Sequence, residues 1–390
     1  MACPGRAARA GGRAMPASRG APSTRLPWQR ASLTDAYLPD WSYSFWDWEV
    51  PPGRNGKRVN GSEHARMVQG RATFLRKVLL LPRPQSTSAV VSLMWSYTLE
   101  RMRRFVGTLR AHYHGDVLLL MSARPPPDIQ DYLVAQRVTQ VPIAPIGDIA
   151  VERFIDYARV CRVYQRCLSI DFGDVFFQGD PFIKASEAAG APDLLLQLEE
   201  LTIRECPHNR AWIMSGWGPQ VVEQIGRWHV VNSGAIIGSP QGFEALGIHL
   251  PPARPRREHD NSTSLKTRFG TRMPRPLWGS WWDQPTLNYM AYVRNDETPL
   301  GKLDVAFQPR GKGVVNTIGV FRGALTLSIL AGRPDLNFSK MLSHMSPEGL
   351  VLNDDGSPSA AVHQYDRFAP YHKTADPDLH FAALERASTG

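Results

Sequence analysis

The sequence predicts an α/β fold, a mixed, mainly parallel sheet lying between helices. Two observations predict it. From residue 88 onward, short apolar runs alternate with segments whose apolar residues recur at helical spacing, the pattern of parallel βαβ units. The stretch LSIDFGDVFFQGDPF, residues 168–182, then places Asp171 and Asp174 just past the end of a buried strand. Open α/β sheets bind their ligands at such strand ends. With 390 residues and 43% hydrophobic content, the chain is long enough for one large domain with a sizeable core.

The elements follow in order. SAVVSLM (88–94) reads as a buried strand, and TLERMRRFVGTLRAHY as a helix with Leu99, Met102, Val106 and Leu109 on one face. DVLLLMS (116–122) is the next strand, PPDIQDYLVAQ a short helix opening on prolines, and RVTQVPI a third strand. DIAVERFIDYARVCRVYQRC (148–167) predicts a helix that feeds directly into LSI and the two aspartates. DLLLQLEE (193–200) and VVNSGAIIGS (230–239) read as strands, the second interrupted by the polar triplet Asn232, Ser233 and Gly234. WWDQPTLNYMAYV (281–293) is a loop entering a helix, with Asp283 at the N-cap. Around these elements lie a basic tail (1–34), a Trp/Pro-rich extension (35–87), the main domain (88–375) and a C-terminal tail (376–390).

Charge excludes one class of partner. The formal net charge is +9, but residues 1–34 hold six arginines and no acid, and 254–275 holds seven Lys/Arg against Glu258 and Asp260. The remaining body is about neutral, so no continuous basic face is available for a nucleic acid. The Ala/Arg/Ser-rich N-terminus has the composition of an organelle transit peptide or a disordered extension, without the apolar region of a secretory signal. No stretch approaches the roughly 20 apolar residues of a membrane span. Four cysteines do not make a disulfide framework in a chain this long, though Cys161 and Cys167 flank a helix end. Three sequons, at Asn60, Asn261 and Asn337, are compatible with a secretory lumen and leave the compartment open.

Several chemistries are absent from the sequence. There is no GxGxxG after the first strand, no GxSxG elbow and no HExxH, and RGKGVVN (310–316) lacks the Walker spacing. Two carboxylates at a strand end without zinc-type ligands suit a hard cation such as Mg²⁺ or Mn²⁺, whose natural ligand is a diphosphate. The plainer reading, an Asx turn, stands beside it.

Context extends the first reading. DFGDVFFQGDPF, NSGAIIG, WWDQPTLNY and LNDDGSPSAAVHQYDRF occur in this order. From about residue 88 to about 370 the chain resembles nucleotide-diphospho-sugar glycosyltransferases of the GT-A fold, the subgroup with D-x-x-D-V-x-F-Q-x-D-P-F and a terminal V-H-Q-Y-D-R. The resemblance implies a GT-A, Rossmann-like domain and a metal-dependent hexosyl or pentosyl transfer from a nucleotide sugar to a glycan or glycoprotein acceptor. Asp174 matches the direct ligand of Mn²⁺ or Mg²⁺, Asp171 the aspartate that contacts the metal's water or the donor ribose, and His363 the histidine that completes the metal shell. Asn232, Ser233 and Gly234 match the segment lining the donor sugar. Asp283 and Gln284 match the catalytic pair facing the transferred sugar and acceptor. Two positions depart from the pattern: relatives commonly have arginine where Gly173 stands, and histidine is frequent at Phe368. Relatives mostly work in the Golgi.

Physical chemistry weighs on the same residues. A D/D/H set leans towards manganese, which accepts histidine more readily than magnesium does. Arg367 is placed to meet a donor phosphate, or to pair with Asp366 at the surface. Trp281 and Trp282 suit an acceptor sugar face or the core, and Asp180 caps the turn after the motif. Glu199 and Glu200 are spare carboxylates, one of which could serve as general base in an inverting reaction. Rival readings are a metal-dependent hydrolase or nucleotidyltransferase, and a non-catalytic carbohydrate- or nucleotide-binding protein of the same fold.

Overall fold

The computed structural model describes residues 84–94, 98–122, 124–143, 149–183, 191–253, 282–293, 299–319, 346–347 and 349–365, all within the larger of the chain's two compact units. The basic tail, most of the Trp/Pro-rich extension, the basic loop 254–275, the three sequons, the C-terminal tail, Trp281, Arg367 and Phe368 lie outside the described residues.

Apolar runs and helical segments alternate as predicted. Strands β1 (Ser88–Met94), β2 (Asp116–Met121), β3 (Val138–Pro142) and β4 (Arg166–Ile170) are joined by α1 (99–110), α2 (Pro127–Ala135) and α3 (Ile149–Cys161). All four strands are parallel, in the spatial order β3-β2-β1-β4. Strands β6 (Leu194–Thr202), β7 (His229–Gly238) and β8 (Val305–Gln308) extend this sheet in the order β4-β7-β6-β8. Only β7 runs antiparallel to its neighbours. The result is a mixed, mainly parallel, Rossmann-like α/β sheet flanked by helices. A second sheet of three-residue strands, β5 (Val175–Phe177), β10 (Ala361–His363) and β9 (Val315–Thr317), stands apart, with β10 central.

Burial on both faces explains why the strands read as continuous apolar runs. Val90, Leu119 and Leu168 face Phe105, Val106 and Leu109 of α1 and the second sheet. Val91, Leu118 and Leu196 point the opposite way, onto Phe154 and Tyr157 of α3 and onto α6 (Pro240–Ala253) and α7 (Asp283–Tyr292). Met102, Val106 and Leu109 are fully buried, as the helical spacing predicts, and the middle turn Arg103–Gly107 widens into a π-helix. The sequence reading did not resolve α4 (Pro207–Trp217), α5 (Pro219–Ile225) or α6 as elements.

One boundary needs correction. The helix predicted over 148–167 ends at Cys161; the chain turns through Tyr164, whose N–H donates to the Cys161 carbonyl at 3.0 Å, and β4 begins at Arg166. Parallel pairing with β1 claims Arg166 and Cys167, and ladder hydrogen bonds override the apolar spacing that carries on through Val163 and Tyr164. Cys161 and Cys167 form a disulfide across this turn, a single bridge joining α3 to β4.

Candidate functional site

The acidic turn lies where β4 gives way to β5. The Asp171 N–H donates to the Gly234 carbonyl at 2.7 Å, so the β4–β7 ladder runs on one rung beyond the strand. The residues after Asp174 form β5, which pairs antiparallel with β10 and sets His363 opposite Val175. Gln364, at φ 59°, donates its N–H to the Asp174 carbonyl at 2.8 Å. A histidine remote in sequence is thereby fixed against the aspartate turn. Asp180 shapes the exit as expected, accepting from the Phe182 N–H at 2.8 Å.

Asp171, Asp174 and His363 offer ligand atoms that all lie within 4.8 Å of one another. His363 is fully buried, and Thr317 Oγ1 lies 3.3 Å from its Nδ1. Its Nε2 faces Asp174 Oδ1 at 3.6 Å and Asp171 Oδ2 at 3.8 Å, beyond hydrogen-bonding range, and is a buried polar atom with no hydrogen-bond partner among the described residues. Native structures rarely leave such an atom unsatisfied. Two carboxylates and an imidazole whose other nitrogen is held by a hydroxyl match the donor set and outer support of a divalent-cation site. Gly234 closes the floor: a Cβ there would sit 2.5 Å from Asp171 Oδ2 and 2.7 Å from His363 Cε1.

Arg153 of α3 is the residue that sequence reasoning missed. Its guanidinium donates to Asp171 Oδ1 at 2.5 Å, to Asp283 Oδ2 at 2.9 Å and to the Ser233 carbonyl at 3.1 Å. It supplies from a helix the positive partner that Gly173 does not supply within the turn. A signal existed: Arg153 stands four residues before Tyr157 and seven before Val160, a cation in register with buried apolar positions. Burial alone would raise the Asp171 pKa, but Arg153, with His363, outweighs it and holds the carboxyl well below its ordinary range. For Asp283 burial wins, and its pKa is raised despite Arg153 and Ser233. Burial would lower the Arg153 pKa, yet its carboxylate partners raise it, so the guanidinium stays charged.

The polar triplet is a bulge. Leu196 pairs with Ile236, but Leu198 pairs with Val231, so two steps along β6 are matched by five along β7. Asn232, Ser233 and Gly234 occupy the excess. Asn232 donates to Glu199 Oε1 at 2.8 Å and accepts from the Gly234 N–H at 2.8 Å. Ser233 Oγ donates to Asp283 Oδ2 at 2.8 Å. Gln284 Oε1 accepts from the Ser233 N–H at 3.3 Å, while its Nε2 donates to Glu199 Oε1 at 3.1 Å and Asn209 Oδ1 at 3.3 Å.

Asp283 is not the N-cap expected of it. The helix begins at Asp283 itself after Trp282, with no side-chain cap, because Arg153 and Ser233 hold the carboxylate. Of the spare carboxylates, Glu199 joins the network around the triplet, whereas Glu200 pairs with Arg310 at 3.3 Å. Trp282 packs edge-on to Trp217, 6.3 Å between centroids, on the core of the α7 face. The structure thus gathers Asp171, Asp174, His363, Asn232, Ser233, Gly234, Asp283 and Gln284 into one neighbourhood.

No family model matches the sequence, and no curated protein matches it. Among solved structures, the chain is similar to core-mannan synthase A from Aspergillus fumigatus in its Mn/GDP form, at 13% identity and a TM-score of 0.34, covering 63% of this chain and 82% of that one. It is similar to the apo form of the glycosyltransferase GlyE from Streptococcus pneumoniae, at 14% identity and a TM-score of 0.41, with 77% of this chain and 60% of that chain covered. A third likeness is to the mannosyltransferase Ktr4p from S. cerevisiae in complex with GDP, at 11% identity and a TM-score of 0.32, over 64% of this chain and 79% of that one.

Proposed function

We propose that the chain is a metal-dependent glycosyltransferase that moves a sugar from a nucleotide diphosphate sugar to an acceptor hydroxyl. The observation that carries this reading is the convergence of Asp171 and Asp174 on the buried, unpartnered Nε2 of His363 at the end of β4. These three residues would hold Mn²⁺ or Mg²⁺, which supplies charge neutralisation for the departing diphosphate. Arg153 keeps Asp171 ionised and in place. Ser233 and Gly234 line the donor sugar, with Asp283 and Gln284 behind them, and Arg367 is a candidate for a phosphate oxygen. In the transfer, a bond forms from the acceptor oxygen to the anomeric carbon. The bond to the diphosphate oxygen breaks with its electron pair, and the acceptor proton passes to a base. Glu199 is the carboxylate nearest that role should the reaction invert. The Cys161–Cys167 bridge favours an oxidising compartment, in keeping with a Golgi or secretory lumen.

The test is thermal unfolding against UDP- and GDP-linked nucleotides, each with and without Mn²⁺, on the wild type and Asp174→Ala. A ligand at 100 times its Kd adds about 2.7 kcal/mol to the native state. The expected result is a rise that requires metal and nucleotide together and vanishes in the variant. No rise with any pair would sink the reading. Donor turnover without an acceptor would make the protein a hydrolase, and binding without turnover a carbohydrate- or nucleotide-binding protein.

A further inference from the structure

Residues 232–234 of β7 depart from the β6 ladder between the Leu198–Val231 and Leu196–Ile236 pairs, yet the backbone at the edge of this gap and inside it is not left to water. Asn288 of α7 meets Val231 on both sides: its Oδ1 accepts from the Val231 N–H at 2.8 Å and its Nδ2 donates to the Val231 carbonyl at 2.8 Å. Its Nδ2 also donates to the Gln284 carbonyl at 2.8 Å. One helical turn earlier, Gln284 Oε1 takes the Ser233 N–H. An asparagine and a glutamine four apart on one helix face therefore hold backbone groups at the edge of the bulge and inside it, each amide standing in for a peptide unit. Asn288 is fully buried, and a carboxamide there spends both donors and its acceptor within the protein. Gly234, at the far end of the same bulge, has no room for a methyl group beside Asp171 and His363.

We propose that Asn288, with Gln284 as the second rung, is the positioning residue that fixes the β7 bulge and so sets the shape of the metal and donor site without touching either ligand. The ladder assigns Gln284 to the same task, since its Oε1 and Nε2 are engaged by Ser233, Glu199 and Asn209. The consequence for the site rests on the transferase reading; the clamp itself does not.

Two variants test it, Asn288→Ala and the near-isosteric Gln284→Met, which keeps the volume should the first fail to fold. Hydrogen exchange followed by mass spectrometry over 229–238 reads the bulge, with 116–121 in β2 as internal control. Mn²⁺ affinity is measured on the folded fraction by electron paramagnetic resonance. The expected result is exchange at least about tenfold faster over 229–238 alone, and Mn²⁺ affinity lowered by about tenfold, the lower end of the range for outer-shell supports. Unchanged exchange over 229–238, or equal acceleration in β2, would overturn the proposal, since a merely stabilising residue acts globally. If wild-type protein shows no metal-dependent nucleotide binding, the transferase reading fails, and the exchange data still decide the clamp.

Discussion

Arg153 joins two carboxylates that the sequence keeps 112 residues apart by their numbers, Asp171 and Asp283. A guanidinium spans such a gap because its donors form a planar fork, which an ammonium cannot reproduce. Arg153→Met should therefore cost about 3–5 kcal/mol, the range for stranding buried charge, and Arg153→Lys should recover only part of it; urea denaturation measures both. Gly234 makes a different demand, of space rather than charge. Gly234→Ala places a methyl against Asp171 Oδ2 and His363 Cε1. The backbone is otherwise a regular continuation of the β4 ladder, so the fold should persist while Mn²⁺ affinity falls by about 10–100-fold. Titration calorimetry with Mn²⁺ reads the loss, and circular dichroism the persistence.

Among the elements, α3 and β4 are bound most closely to the site, one carrying Arg153 and the other ending at Asp171. Their junction is stapled by Cys161–Cys167, both nearly fully buried. Closing so short a loop is worth about 2 kcal/mol on the chain-entropy model. Cys161→Ser with Cys167→Ser should lower stability by that amount in denaturant titration. It should also loosen Arg153 from Asp171, read as faster exchange across β4. What was legible at this scale follows from packing. β1, β2, β3 and β4 are buried on both faces and announce themselves as apolar runs, and DFGDVFFQGDPF gave away the acidic turn. The second sheet was not legible, because strands of three residues leave no periodicity to detect and β10 is paired across the chain. The NSG triplet could be seen to interrupt a strand. That it bulges, and that α7 holds backbone groups at its edge and inside it, depends on register, which no single stretch of residues encodes. Asp283 looked like a cap because a carboxylate before a helical run commonly is one; its partner lay on another helix.

At the scale of the molecule, the large sheet is a two-sided scaffold in which β7, next to the central β4, runs against the rest. That reversal brings the interior of β7, not its end, beside the terminus of β4, and there a bulge can meet an acidic turn. The charge is distributed to match. The excess of arginine and lysine sits in the N-terminal tail and in 254–275, while the described site is acidic, with Asp171, Asp174, Asp283 and Glu199 set around the guanidinium of Arg153.

The pairing of β5 with β10 also has a temporal side. Gln178 donates from Nε2 to the carbonyls of Val351 and Ser359, contacts 173 and 181 residues distant along the chain. His363 can join Asp174 only when this long loop has closed, and closure of distant contacts slows folding. The βαβ units need no such return and can assemble from neighbouring residues. In stopped-flow refolding, recovery of the far-ultraviolet signal should thus precede the appearance of Mn²⁺ binding. Simultaneous recovery of the two would show that the second sheet forms together with the first. The order of events would make the cation a late arrival, a latch on the last segment to return.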